Sequence, residues 1–339
     1  MKLFTSRRRS VATPLDGVDA VLADLDGVVY QGPTAIAFAV EALGRAASEG
    51  LRIGYITNNA SRTDVQVAEH LASFGLNVVA RDVVTSPQAA VRLLSDLVAP
   101  GSLILVVGGD GLVDELTKGG FSVTREAADQ PAAVIQGFSP QVGWTQLAEA
   151  SFALHRGIPW VATNTDWTIP VAGGLAPGNG TLVSAVHTAV GRLPVVAGKP
   201  EVPIFEEATR RFSAKSPLFV GDRLDTDILG ANRAGMPVAH VLTGVDKAKQ
   251  LLSAKPDERP TFILDDLRGL FEPYPVTTFS KDDALATVGA SSVRIRGNAV
   301  EIVKAGDDST DLLRAACAVI WKSGRAIYGL QVPESLYED

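Results

Sequence analysis

The sequence predicts an α/β protein built on a mostly parallel, Rossmann-like sheet, with an inserted α/β domain and a small α+β extension at its C-terminal end. Three observations carry that reading. Short apolar strands alternate with helical patterns from residue 18 onward, as in a parallel sheet joined by crossover helices. That pattern starts afresh between about residues 99 and 193 and then resumes. Several of the apolar strands end in polar residues, at the strand ends where open parallel sheets bind ligands.

Taken in order, residues 18–23 form the first strand, an apolar run that closes on Asp24-Leu25-Asp26-Gly27. Residues 35–49 read as a helix stopped by Gly50. The strand 51–56 follows and delivers Thr57-Asn58-Asn59 to its end. Ser61-Arg62-Thr63-Asp64 has the form of a capping box, opening a helix that finishes near Gly75. After the helical stretch 88–97, Ala99-Pro100-Gly101 reads as a hinge.

The inserted block has strands at 103–107, 133–136 and 160–163 and helices at 112–118 and 144–155. A glycine-rich stretch, 173–180, and a helix, 181–190, complete it. Residues 195–199 and 218–222 then return to the first pattern as strands ending in Lys199 and Asp222. Beyond residue 276 the pattern gives a helix at 283–287, a strand at 292–303 and a helix at 310–322. The expected domains are a tail (1–15), a core (16–98 with 194–275), an α/β insert (99–193) and a C-terminal accessory unit (276–339).

Composition excludes some functions. With 46% apolar residues in 339, each domain can bury a core. A net charge of -7 argues against a nucleic-acid or anionic-membrane surface and leaves small anionic ligands open. The single cysteine, Cys317, fits a reducing compartment and reads as a buried helix residue. No apolar stretch follows Arg7-Arg8-Arg9 before Asp16, so a secretory signal is not expected, and no run is long enough to span a bilayer. The expectation is a cytoplasmic protein. His70, His155, His187 and His240 are scattered without helical pairing, which argues against zinc.

The strand ends carry Asp24 and Asp26, Thr57 and Asn58, Lys199, and Asp222 with Asp225 and Asp227. Neighbouring carboxylates repel unless a cation joins them, and hard oxygen donors without His or Cys point to Mg²⁺. With Mg²⁺ and Lys199 neutralising a phosphate dianion, an aspartate can attack phosphorus while a second acid protonates the leaving alcohol. A hydroxyl and main-chain amides before a helix, as at Thr57 and Asn58, suit phosphoryl oxygens. Asp-x-Asp by itself also caps turns, a lone lysine is commonly a surface residue, and Asp225 reads best as a helix-capping acid. Gly108-Gly109-Asp110-Gly111 lacks a nearby lysine and reads as a strand-to-helix joint. Asn164, Asp166 and the 173–180 stretch read equally well as a plain connection and stay outside the predicted site.

Together, Asp24-Leu25-Asp26-Gly27-Val28-Val29-Tyr30, Thr57-Asn58-Asn59, Gly198-Lys199-Pro200 and Gly221-Asp222-Arg223-Leu224-Asp225-Thr226-Asp227-Ile228 resemble the four motifs of the haloacid dehalogenase (HAD) superfamily. They resemble most its branch of p-nitrophenyl, phosphoglycolate and glycerol 3-phosphate phosphatases, over about residues 15–272. The resemblance implies Asp24 as nucleophile and Asp26 as general acid and then base. It implies Mg²⁺ held by Asp24, the Asp26 carbonyl and Asp222, with Asp227 orienting the metal's waters. Thr57, Asn58 and Lys199 would bind phosphate. Val28 stands where the superfamily often has threonine, a departure this branch tolerates.

The implied function is Mg²⁺-dependent hydrolysis of a small phosphomonoester through an aspartyl-phosphate. Glycerol 3-phosphate comes first and phosphoglycolate next, with pyridoxal phosphate, sugar phosphates and nucleotides as alternatives. A dehalogenase would need no second acid, and a silent HAD-fold binding protein would be expected to lack one of the charged positions. Residues 276–339 show no Arg-x-x-Gly-x-Gly loop of the kind that binds coenzyme A, so a structural or homo-oligomer-forming role is expected.

Overall fold

The computed structural model describes residues 12–171 and 173–337. Arg7, Arg8 and Arg9 lie outside them. The chain divides into two compact units, one of the described residues up to Arg52 and from Ser216 on, the other Ile53–Lys215.

The first unit carries four parallel strands in the order Phe262–Leu264, Val238–Val241, Pro217–Gly221 and Ala20–Asp24. Leu22 lies opposite Phe219 and Val220 opposite Ala239. All of Ala20–Asp24 is buried, as a continuous apolar strand in a covered sheet requires. The helix Ala39–Ser48 buries Ala39, Ala42, Leu43 and Ala46, one stripe at helical spacing. It begins later than the sequence pattern predicts because Tyr30–Gln31 and Thr34–Ala35 pair as a small hairpin first.

The same unit ends in an antiparallel sheet of Thr278–Phe279, Leu285–Val288, Ser291–Arg296 and Ala299–Lys304. The helix Ser309–Ser323 packs on it. Two sequence expectations change here. Residues 283–287 are not a helix; Leu285–Val288 is a strand whose side chains alternate in burial, the period of two that a short segment cannot show against a helical one. Residues 292–303 are two strands rather than one, because the chain reverses at Gly297-Asn298. The helix is tied to the strand Phe262–Leu264 and to the short helix Ala248–Leu252: the Arg314 guanidinium donates twice to the Ile263 carbonyl, at 2.9 and 2.6 Å, and Trp321 Nε1 donates to the Leu251 carbonyl at 3.1 Å. Cys317 is buried on this helix, and burial pushes its thiol well above the usual range, so it stays protonated and inert.

The second unit contains a five-stranded parallel sheet in the order Val195–Val196, Trp160–Ala162, Ala133–Gln136, Leu103–Val107 and Ser122–Thr124. Leu105, Val107, Val134, Trp160 and Ala162 pack there against Ala150, Ala153 and Leu154 of the helix Trp144–Leu154 and Val183 and Val186 of the helix Asn179–Val190. The strand before Lys199 is only Val195–Val196, and it belongs to this five-stranded sheet. Its pairing with Trp160–Ala162 gives these two valines backbone partners at an otherwise open edge. In the same unit Arg52–Thr57 pairs in parallel with Val83–Thr85, Thr57 opposite Thr85. The next helix, Asp64–Ser73, is capped by Thr63 rather than Ser61: Thr63 Oγ1 accepts from the Gln66 amide and Gln66 Oε1 accepts from the Thr63 amide. Among the described residues, no helix is long and apolar enough to cross a membrane.

Candidate active site

In the first unit, Asp24 closes the buried strand Ala20–Asp24 and is itself only 8% exposed. The chain then turns tightly: the Leu25 carbonyl accepts from Val28, Val29 and Tyr30, and the Gly27 amide donates to the Tyr30 carbonyl at 2.8 Å. Gly27 sits at φ +81°, and a Cβ there would lie 2.2 Å from Asp222 Oδ2. Only glycine meets both conditions. Asp26, between them, presents an exposed side chain.

Asp222 follows the strand Pro217–Gly221 and is buried. Its Oδ2 accepts from the Val245 amide at 2.6 Å. Asp227, on the π-turn Leu224–Ile228, is also buried, and its Oδ2 accepts from the amides of Asp222 and Arg223 at 3.2 and 3.1 Å. Carboxylate oxygens of Asp24, Asp222 and Asp227 lie within 4.8 Å of one another. Three buried carboxylates this close repel, and a cation among them would offset that repulsion. The donors are all hard oxygens, so the trio fits Mg²⁺ or Ca²⁺ and not a thiophilic metal. Asp225 takes no part: it is exposed and forks onto Arg223, at 3.1 and 3.0 Å.

A second layer stands behind Asp222. Thr243 Oγ1 donates to the Gly27 carbonyl at 2.7 Å, and Asp246 Oδ2 accepts from the Leu224 amide at 2.7 Å. The Asp246 carbonyl meets His240 Nε2 at 3.0 Å. His240 is fully buried, and that burial lowers its pKa to about 4, so the ring is neutral at neutral pH.

In the second unit, Thr57 ends the strand Arg52–Thr57, Asn58 is the next residue, and Lys199 follows Val195–Val196. Thr57 and Lys199 are both buried. The Asn58 side chain clasps the Lys199 backbone: Oδ1 accepts from the Lys199 amide at 2.8 Å, and Nδ2 donates to the Lys199 carbonyl at 3.0 Å. Nδ2 also donates to Asp166 Oδ1 at 3.1 Å. The group Asn58 has to offer a phosphate is therefore its main-chain N–H. Its carbonyl accepts from Ser86 Oγ and Asn164 Nδ2, both at 2.7 Å.

Within the units, then, Asp24, Asp222 and Asp227 come together, and so do Asn58 and Lys199. Sequence reasoning missed Ser86, Asn164, Asp166, Thr243 and Asp246. The signal available was the pair Asn164 and Asp166, polar residues just past a buried strand end. Gly108 and Gly109 do join the strand Leu103–Val107 to the helix Asp110–Lys118, with the Gly108 carbonyl accepting from Arg125.

A family model described as haloacid dehalogenase-like hydrolase matches residues 21–122, and a second, HAD-hydrolase-like, matches residues 196–270. The chain is 42% identical to a D-glycerol 3-phosphate phosphatase of Mycobacterium tuberculosis, over 91% of this chain and 87% of that one. The chain belongs to the haloacid dehalogenase-like hydrolases. Within that family it falls among the phosphatases, enzymes that hydrolyse phosphomonoesters. It is 36% identical to a glycerol-3-phosphate phosphatase of Gallus gallus, over 73% of this chain and 86% of that one. A crystal structure of the glycerol phosphate phosphatase of M. tuberculosis in complex with magnesium superposes with a TM-score of 0.86 at 39% identity, covering 95% of each chain. The parallel-sheet α/β fold of this HAD chain and its family motifs thus agree.

Proposed function

We propose that the enzyme is a Mg²⁺-dependent phosphatase whose substrate is glycerol 3-phosphate, with Asp24 as nucleophile. The observation that carries the reading is the buried trio Asp24, Asp222 and Asp227, drawn from the family's first and fourth motifs. The substrate rests on the similarity to two glycerol phosphate phosphatases. Asp24, the Asp26 carbonyl and Asp222 would hold the metal, with Asp227 behind them fixing the backbone at Asp222 and Arg223. Bound there, Mg²⁺ supplies the positive charge that lets an anion approach a phosphate dianion.

The chain's own groups do the rest. A carboxylate oxygen of Asp24 attacks phosphorus, the ester P–O bond breaks, and Asp26 gives its proton to the departing glycerol oxygen. Water then attacks the aspartyl-phosphate, Asp26 takes the water's proton, and phosphate leaves with Asp24 restored. Thr57, the Asn58 amide and the Lys199 ammonium hold the phosphoryl oxygens. The exposed side chain of Asp26 suits a group that must meet the leaving oxygen.

The segment 99–193 serves as a cap that selects the leaving group, and residues 276–339 serve as a stabilising and self-associating accessory unit. The lone buried thiol supports a cytoplasmic setting. The test is phosphate release, with and without Mg²⁺, across glycerol 3-phosphate, phosphoglycolate, pyridoxal phosphate, sugar phosphates and nucleotides. The highest kcat/KM is expected for glycerol 3-phosphate; a nucleotide or sugar phosphate far ahead of it would overturn the substrate, and metal-independent turnover would overturn the mechanism.

A further inference from the structure

We infer that Asp166 is a positioning residue for phosphate binding, acting through Asn58 on Lys199; the inference rests on the phosphate-binding role proposed above for Lys199. An asparagine side chain has two N–H groups and one carbonyl. In Asn58 the carbonyl Oδ1 is taken by the Lys199 amide at 2.8 Å and one N–H by the Lys199 carbonyl at 3.0 Å. The remaining N–H points to the Asp166 carboxylate, 3.1 Å from Oδ1 and 3.5 Å from Oδ2. Asp166 is the charged end of a relay that grips both sides of the Lys199 peptide.

Asp166 is itself held firmly. Its carbonyl accepts from the Gly180 amide at 2.9 Å, at the start of the helix Asn179–Val190, and Asn179 Nδ2 donates to the Asn164 carbonyl at 2.8 Å. Asn164 Nδ2 reaches the Asn58 carbonyl at 2.7 Å, where Ser86 Oγ also donates. Asn58 is thus fixed at its backbone by Ser86 and Asn164 and at its side chain by Asp166. A hydrogen bond to a charged acceptor in a half-buried place is among the stronger ones, and losing it leaves an N–H without a partner beside the Lys199 carbonyl.

The consequence falls on binding of the phosphoryl group in both ground and transition states, so KM moves more than kcat. The experiment compares the full-length enzyme with Asp166→Ala and Asp166→Asn, reading KM, kcat and competitive inhibition by inorganic phosphate, with thermal melting as a check on folding. The alanine variant is expected to weaken phosphate inhibition and raise KM by about tenfold, the worth of one such bond. The asparagine variant keeps an acceptor oxygen and is expected to recover most of that loss.

Unchanged phosphate inhibition in Asp166→Ala, or an Asp166→Asn variant as impaired as the alanine one, overturns the positioning role. Asp166→Leu, close to aspartate in size, repeats the measurement if the alanine variant does not fold; failure of both to fold assigns Asp166 to stability alone and also overturns it. A wild-type enzyme that phosphate does not inhibit and that hydrolyses no phosphomonoester instead rejects the function proposed above, a separate result.

Discussion

The Val245 main-chain N–H donates to Asp222 Oδ2 at 2.6 Å, and so fixes one carboxylate oxygen of the acidic trio from the loop that follows Val238–Val241. That loop approaches so closely that a Cβ on Gly244 would stand 1.9 Å from the same oxygen. Asp222 cannot keep its place beside anything larger than glycine there. Gly244→Ala is therefore expected to weaken Mg²⁺ affinity by about tenfold or more, as loss of a supporting contact to a ligand does. Calorimetric titration with Mg²⁺, alongside the Mg²⁺ dependence of phosphate release, checks this; wild-type affinity in the variant would show that the loop does not hold Asp222.

His240 gives the protein a built-in acid limit. Its folded pKa, about 4, lies below the ordinary 6.5, because burial disfavours the charged ring. The unfolded chain takes up the proton first, so this contribution to stability is complete above about pH 6.5 and is lost as pH falls toward 4. From the shift it amounts to about 3 kcal/mol. Denaturant unfolding between pH 7.5 and 4, compared with His240→Gln, measures it. The variant, which retains an N–H for the Asp246 carbonyl, is expected to show a shallower decline over that window, and an identical pH slope would remove His240 from the account.

Arg314 ties the helix Ser309–Ser323 to the strand Phe262–Leu264 by its two bonds to the Ile263 carbonyl and to Tyr274 by stacking at 4.7 Å, while its ion pair with Asp311 at 2.7 Å lies within the helix. Arg314→Ala leaves that carbonyl and Asp311 without their cation. A loss of about 2 to 3 kcal/mol in unfolding free energy is expected, with KM for substrate unchanged. Chemical denaturation and steady-state kinetics of the same preparation decide it; undiminished stability would argue that residues 276–339 are not a stabilising unit.

Much of the candidate site is legible because strand ends in a parallel sheet carry ligand chemistry and because Asp24, Thr57 and Asp222 each stand at or next to one, with Lys199 a few residues past Val195–Val196. Register was harder to read. Val195 and Val196 look like any apolar strand, and only their pairing with Val161 and Ala162 assigns them to the five-stranded sheet of the second unit. Residues 283–287 are too few to tell a period of two from one of 3.6, and Leu285–Val288 is a strand where the sequence pattern predicts a helix. The Thr63 cap displaced Ser61 because Gln66, not Asp64, reaches back to close the box. Asn164 and Asp166 stayed out of the predicted site since nothing local says that a segment far along the chain from Asn58 will supply its partners.

The proposed mechanism turns on covalent chemistry at Asp24. Acid quenching of a single turnover with glycerol 3-phosphate and Mg²⁺, followed by peptide mapping, is expected to find the phosphoryl group on Asp24. Asp24→Asn is expected to show no such adduct and to lose about a thousandfold or more in kcat. A phosphorylated peptide elsewhere, or an Asp24→Asn enzyme within about tenfold of wild type, would contradict it.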